Sequence, residues 1–179
     1  MPDDRPRLRP PTLADFWMFE RQSVDPEAAG TFNWSGFRDS AALKRRLGES
    51  GLIGPDGGCL IVEADEEAAG TVVWNKATYG TPSWWCWNIG ISLLPEFRGK
   101  GIGTAAQQEL ATYLFQTTPT ERVEAYTDVD NTAEQRSLER IGFTKEGLIR
   151  SAQFRYGRWR TLVLYSLLRD ECLTPQTHG

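Results

Sequence analysis

The sequence predicts an α/β fold. Its mixed central sheet has antiparallel strands in the N-terminal part, a parallel crossover in the C-terminal half, and helices on both faces. Three observations carry this. Two apolar runs, 59–64 and 71–75, are joined by a charged turn at 65–70 and read as an antiparallel hairpin. A longer run, 84–93, feeds the glycine turn Arg98-Gly99-Lys100-Gly101-Ile102-Gly103-Thr104, after which helix 104–115 and strand 122–127 make a parallel crossover. Segments 147–155 and 159–168 then flank Tyr156-Gly157-Arg158 as a closing antiparallel pair.

The remaining elements follow from local chemistry. Thr12 is an N-cap with Asp15 three positions on, and Leu13, Phe16, Trp17 and Phe19 continue as an amphipathic helix. Residues 28–36 form a loop carrying Phe32 and Trp34, with Phe37 just beyond it. A second helix covers 39–47 and stops near Gly48. In helix 104–115, Ala106, Leu110, Tyr113 and Leu114 share one face. Asn131 caps a helix that runs to Ile141, which Gly142 ends. One domain is expected over 1–179, ordered from about 7 to 170 with a tail fraying from about Leu173.

Composition narrows the chemistry. A net charge of −4 and a pI near 5.1 give no global basic field, so nucleic acid is not an expected partner. The polar, proline-broken N-terminus, 1–6, lacks a signal core, and no run is long enough to span a bilayer; no membrane partner is expected. Cys59, Cys86 and Cys172 form no C-x-x-C pair and fit a reduced, cytoplasmic compartment. The single histidine, His178, lies in the polar tail, which argues against Ser-His-Asp hydrolysis and histidine-based metal sites; no metal is expected. Any catalysis falls to carboxylates, tyrosines, backbone amides, a cysteine or a bound cofactor.

The glycine turn is an anion cradle. Glycines permit close backbone approach, the following helix adds unpaired N–H donors and its positive dipole end, and Arg98 and Lys100 add charge. A Walker A loop is excluded, because Gly101 follows Lys100 and Leu94 stands at the first glycine position. A dinucleotide fingerprint fits formally as Gly101-Ile102-Gly103-Thr104-Ala105-Ala106, with Glu124 or Asp128 as the ribose acid, though it falls late and behind antiparallel strands. A ligand-free structural turn is the remaining alternative to an acyl-CoA cradle.

Arg98-x-x-Gly101-x-Gly103 resembles the Q/R-x-x-G-x-G/A motif of the GNAT superfamily of N-acetyltransferases. The preceding strand Asn88–Phe97, then Asp128-Val129-Asp130-Asn131, Glu139–Phe143 and Glu146-Gly147, resemble the RimJ/RimL-like branch, which acetylates protein amino-terminal amines and many small amines; clear similarity covers 88–168. The resemblance implies a GNAT fold and acetyl-CoA as co-substrate. It implies that backbone N–H groups from Arg98 through Gly99, Lys100, Gly101, Ile102 and Gly103 to Thr104 hold the CoA pyrophosphate. Ile91, Ser92 and Leu93 would line the pantetheine arm, and a bulge near Ser92 and Leu93 would aim an N–H at the thioester carbonyl. Asn131 would contact the pantetheine, and Arg136 is a candidate for the phosphates. On this reading Arg98→Ala weakens CoA far more than folding. A homodimer is common in the branch, though nothing in the sequence demands one.

Each role has a structural competitor. Ile91 and Leu93 are what any buried strand carries. Asn131-x-x-Glu134 also fits a capping box. Relatives carry serine at the position of Glu134 and, in other branches, tyrosine at that of Leu138, so this chain lacks both family acids. Glu134, Tyr126, Asp128 and Glu20 are the candidates for proton relay, with the backbone of Leu93 at the thioester. A strong base is less needed for an α-amine, about one-tenth neutral at pH 7, than for a lysine amine, neutral in about one part in a few thousand. Trp34, Trp85 and Trp87, with Glu20, are the candidates for an acceptor wall, against ordinary packing. The expected activity is acetyl transfer to a small-molecule or peptide amine; a non-catalytic acyl-CoA sensor and an NAD(P)-dependent oxidoreductase are the alternatives.

Overall fold

The computed structural model describes residues 5–173, so His178 and the tail beyond 173 lie outside the described residues, as do residues 1–4. In chain order the elements are β1 (Arg7–Arg9), α1 (Phe16–Val24), α2 (Pro26–Ala29), α3 (Ala41–Ser50), β2 (Ile53–Gly54), β3 (Gly57–Ala64), β4 (Glu67–Thr78) and β5 (Trp85–Leu93). They continue as α4 (Ile102–Thr117), β6 (Arg122–Asp128), α5 (Thr132–Arg140), β7 (Thr144–Arg155), β8 (Arg158–Leu168) and α6 (Arg169–Leu173). One sheet runs β1-β3-β4-β5-β6-β8-β7, with β2 also on β3, and every pairing is antiparallel except β5 with β6. This is the mixed α/β sheet that the sequence predicts.

Several elements depart from the sequence reading. β1 pairs Arg7, Leu8 and Arg9 with Glu63, Val62 and Ile61, a contact too short and too distant in sequence to leave a periodic signal. Arg9 also fastens the start of the chain to Glu63 (2.5 Å) and Asp15 (2.7 Å). The first hairpin turn is only two residues, Asp65 and Glu66, both left-handed (φ 52° and 64°), so β4 begins at Glu67 instead of Thr71. Part of the expected 28–36 loop is α2, which starts with Pro26 and is capped by Asp25 accepting from the N–H of Glu27 at 2.9 Å. α3 runs through Gly48 to Ser50. Arg169, at the head of the unexpected α6, donates to the carbonyls of Phe115, Thr118 and Thr120, closing the C-terminal end of α4.

Helices cover both faces. Ile91 and Leu93 lie 3.4 Å from where a Cβ on Gly103 would stand, so the odd-numbered residues of β5 face α4. Ser92 Oγ accepts from Gln22 Nε2 of α1 at 3.0 Å, so the even-numbered ones face α1. Alternation along a strand requires both statements together. Ala106, Leu110, Leu114 and Phe115 bury one side of α4, and Phe16, Met18 and Phe19 bury α1 on the other. Tyr113, on the face shared with Ala106, Leu110 and Leu114, is 40% exposed and packs edge-on against Trp74.

Candidate active site

The one parallel pair splits. β5 and β6 are in register only at Trp87↔Val123, Asn88↔Glu124 and Ile89↔Ala125, yet β5 continues to Leu93 and β6 to Asp128. Their outer edges are taken by β4 and β8, so the diverging segments 90–93 and 126–128 enclose a cleft. Ile91 O accepts from Asn33 Nδ2 (3.3 Å), and therefore points away from β4 into this cleft. Because a strand residue turns its N–H and C=O to the same side, the Ile91 N–H opens there too, and two residues on so does Leu93. Alternation alone directs these groups. The bulge expected near Ser92 and Leu93 is absent, since the β4–β5 register is unbroken from Gly70↔Leu93 to Thr78↔Trp85.

At the mouth of the cleft lies the glycine turn. Gly99 (φ 74°) and Gly101 (φ 80°) are left-handed, and a Cβ on either would meet nothing within 4 Å. The first bond of α4 runs from the N–H of Ala105 to Gly101 O, which leaves the N–H groups from Gly101 to Thr104 without helical partners. A cavity of about 490 Å³ is walled by these glycines and Thr104, by Ile91, Ser92 and Leu93, and by Asn131, Glu134, Ser137 and Arg140. A smaller one of about 120 Å³ lies at the divergence, between Gly90 and Tyr126. Glu134, Asn131, Ile91 and Asn33 border both.

Glu134 is the distinctive group. Burial pushes its carboxyl up to about 7, with the Gln107 hydrogen bond opposing the shift. Asn131 Oδ1 caps α5 by accepting from the N–H of Glu134 (3.3 Å), but the Asn131 N–H is taken by Asp128 O. The capping box is thus half-formed, and the Glu134 side chain is left to face the cavities. Behind it, Gln107 Nε2 reaches Gly103 O and Ser137 Oγ, both at 3.3 Å, and Ser137 Oγ lies 2.8 Å from Thr104 Oγ1. A carboxyl near 7 can both accept a proton from an amine and return one at neutral pH.

The other candidates divide. Asp128 is no relay: it is buried, accepts from Arg155 and from Arg160 (2.7 and 2.8 Å), and these partners, led by Arg160, hold it down at about 2. It anchors β8 and β7 to the end of β6. Tyr126 borders the smaller cavity, but its hydroxyl donates to Glu124, and burial raises its pKa, so it stays protonated. Glu124 itself is fully buried against Tyr79, Tyr126 and Arg122, unlike a ribose-binding acid. The guanidinium of Arg98 donates to the carbonyls of Leu93, Glu27 and Ala28 (2.8–3.0 Å), tying α2 to the end of β5. Lys100 Nζ lies over the Phe97 ring, and Ile102 packs against the core.

Three expectations are corrected. Arg136 is exposed and outside the cavity, whereas Arg140, one turn on, borders it. Trp85 and Trp87 face α4, packed edge-on at 4.9 Å, with Trp87 Nε1 donating to Thr118 Oγ1; they are packing residues, whereas Trp34 borders a shallow cavity beside Gln153 and Phe154. Glu20 is exposed and borders none of the cavities described, while Gln22 and Ser23 of α1 face one. Sequence reasoning missed Asn33, Gln107, Ser137 and Arg140. Ser137 had a legible signal: it stands one helical turn from Glu134, where a serine was sought.

These features place the protein among the α/β acyltransferases. A family model described as Acetyltransferase (GNAT) domain matches residues 5–144, and the chain belongs to that family. It is 42% identical over 83 residues to YdaF of Bacillus subtilis, named as a candidate ribosomal N-acetyltransferase, a match spanning 46% of this chain and 45% of that one. Among solved structures it is similar to spermidine N-acetyltransferase of Vibrio cholerae in complex with CoA and spermine (TM-score 0.78, 17% identity, 96% and 99% of the chains covered). It is also similar to Mycobacterium smegmatis RimJ in complex with CoA-disulfide (TM-score 0.76, 22% identity, 94% and 83% covered). At these identities the structural likeness shows the fold. Among the described residues, no helix is long and apolar enough to cross a membrane.

Proposed function

We propose that this N-acetyltransferase uses acetyl-CoA and acts on a primary amine, a peptide α-amine or a small-molecule amine, by direct attack on the thioester. The observation that carries the reading is Glu134, a carboxyl held near 7 at the junction of the glycine cradle and the β5–β6 cleft. When bound, acetyl-CoA would supply the acetyl group already activated as a thioester. The space above Gly99 and Gly101 fits a pyrophosphate, which the N–H groups from Gly101 to Thr104 would hold. The N–H groups of Ile91 and Leu93, whose carbonyls already accept from Asn33 and Arg98, would donate to the pantetheine carbonyls and polarise the thioester carbonyl. Glu134 would take the proton from the amine. Three free cysteines support a reducing, cytoplasmic setting, and burial pushes Cys59 and Cys86 up to about 12, which keeps both unreactive.

Calorimetry with acetyl-CoA, with NAD as competitor, and CoA-thiol release against a panel of amines test this reading. Saturable CoA binding with amine-dependent thiol release is expected. Absence of CoA binding in folded protein overturns the reading, and binding without release from any amine leaves a sensor module instead.

A further inference from the structure

A larger cavity, of about 780 Å³, lies on the α1 face of the sheet, between α1, the start of α3 and strands β3 to β5. Its size suits a small ligand, for which roughly 300–1,000 Å³ is usual. It shares Asn33 and Ser92 with the cradle cavity. It also approaches the cleft at Gly90. Gly90 borders the smaller cavity, is paired with Val73 of the larger one, and has no side chain to close the floor where β5 and β6 part. An amine lying over Val73 would therefore reach the cleft from the side opposite α4.

The walls carry a charge preference. Phe19, Leu43 and Val73 are apolar, while Arg38 and Arg46 stand at the exposed rim. Two carboxylates also line it: Asp56 is ion-paired with Lys76 at 2.9 Å, while Asp39 accepts from the N–H of Ala41 at 2.8 Å and keeps its charge. Among the described residues neither Arg38 nor Arg46 has an ion pair or hydrogen bond through its guanidinium. The two guanidinium groups therefore outnumber the one carboxylate without a charged partner, Asp39. Such a rim attracts carboxylates, with which guanidinium forms paired hydrogen bonds, and repels polycations.

Resting on the transferase reading above, we infer that this cavity takes the acceptor, and that the acceptor is an amine of amino-acid to short-peptide size bearing a carboxylate that Arg38 and Arg46 hold. A polyamine would be disfavoured, in contrast to the spermidine enzyme of the same fold.

The test compares alanyl-glutamate, its diamide counterpart and spermidine, using the full chain saturated with CoA for binding and acetyl-CoA for turnover. Alanyl-glutamate is expected to bind in calorimetry, and its kcat/KM to exceed that of the diamide at least tenfold and that of spermidine by more. In Arg38→Gln/Arg46→Gln, checked for folding by its melting curve, the acid-to-diamide ratio is expected to fall toward one, mainly through KM. No binding of alanyl-glutamate, an acid-to-diamide ratio near one in the native protein, a ratio that survives the double substitution, or a preference for spermidine each overturns the proposal. Binding of CoA itself is measured first, so loss of the transferase reading is seen separately.

Discussion

Gln107 Nε2 lies 3.5 Å from Glu134 Oε2, while Gln107 Oε1 is buried with no partner. A fully buried amide that leaves its own acceptor orphaned while directing its donor at an ionisable carboxyl lowers the cost of ionising that carboxyl. The pair ties the cradle helix to the residue that would move protons.

Glu134→Gln tests the base. Wild-type kcat/KM is expected to rise as pH passes about 7, where the carboxyl ionises. The variant loses that limb and roughly 100-fold or more in rate, measured as a pH profile with one amine. The same shift has a sign in stability. The folded protein keeps this proton above 4.5, the ordinary value for a glutamate carboxyl, so the stabilisation is full below 4.5 and is lost as pH rises through about 7. Melting at pH 8 should find the variant more stable by about 3 kcal/mol, with little gain at pH 4.

Gln107→Leu removes the opposing donor. Burial then acts alone on Glu134, and the rising limb is expected to move up by about 0.5–1 pH unit. A limb that stays in place would mean that Gln107 only fills space.

Asp128→Asn strands Arg155, which is 7% exposed and also donates to Phe32 O. Removing one partner of a buried pair costs about 3–5 kcal/mol, so a large drop in melting temperature is expected at pH 7. In the native protein the contribution is present above pH 3.8 and lost as pH falls through about 2. An unchanged melt in Asp128→Asn would falsify the anchoring role.

Gly101→Ala separates the cradle from the fold. At φ 80° an alanine is strained by about 1 kcal/mol, and its Cβ enters the open space above the turn. CoA affinity should fall at least tenfold for a melting shift of a few degrees. Gly103→Ala, without positive φ and with ordinary 3.4 Å contacts to Ile91 and Leu93, should unfold no earlier than Gly101→Ala.

For Arg98→Ala the structure reverses the sequence expectation. Three backbone carbonyls from two elements lose a charged donor, so urea unfolding should show a loss of about 2–3 kcal/mol, larger than the change in CoA binding free energy. The opposite order would put the guanidinium on the phosphates.

Legibility in the sequence followed the range of the interactions. Local signals placed the 59–64 strand, the glycine turn, the helix after it and the Asn131 cap, because periodicity and capping are written in neighbouring residues. Elements held by distant partners escaped: β1 exists only through 61–63, and α6 through the end of α4. For the same reason Trp85 and Trp87 were ambiguous. Alternation put them on one face, but nothing local says that α4 covers that face.

The sequence by itself determined the mixed sheet, the family motif from Arg98 to Gly103 and the absence of both expected family acids. Only the tertiary structure decided what replaces them. The ionisation of Glu134 depends on burial beside α4 and on Gln107, 27 residues away. Asp128, an equally plausible carboxylate in the sequence, is committed by Arg155 and Arg160. Desolvation and charge pairing are sums over neighbours in space, so two carboxylates six positions apart can end with pKa values near 7 and near 2.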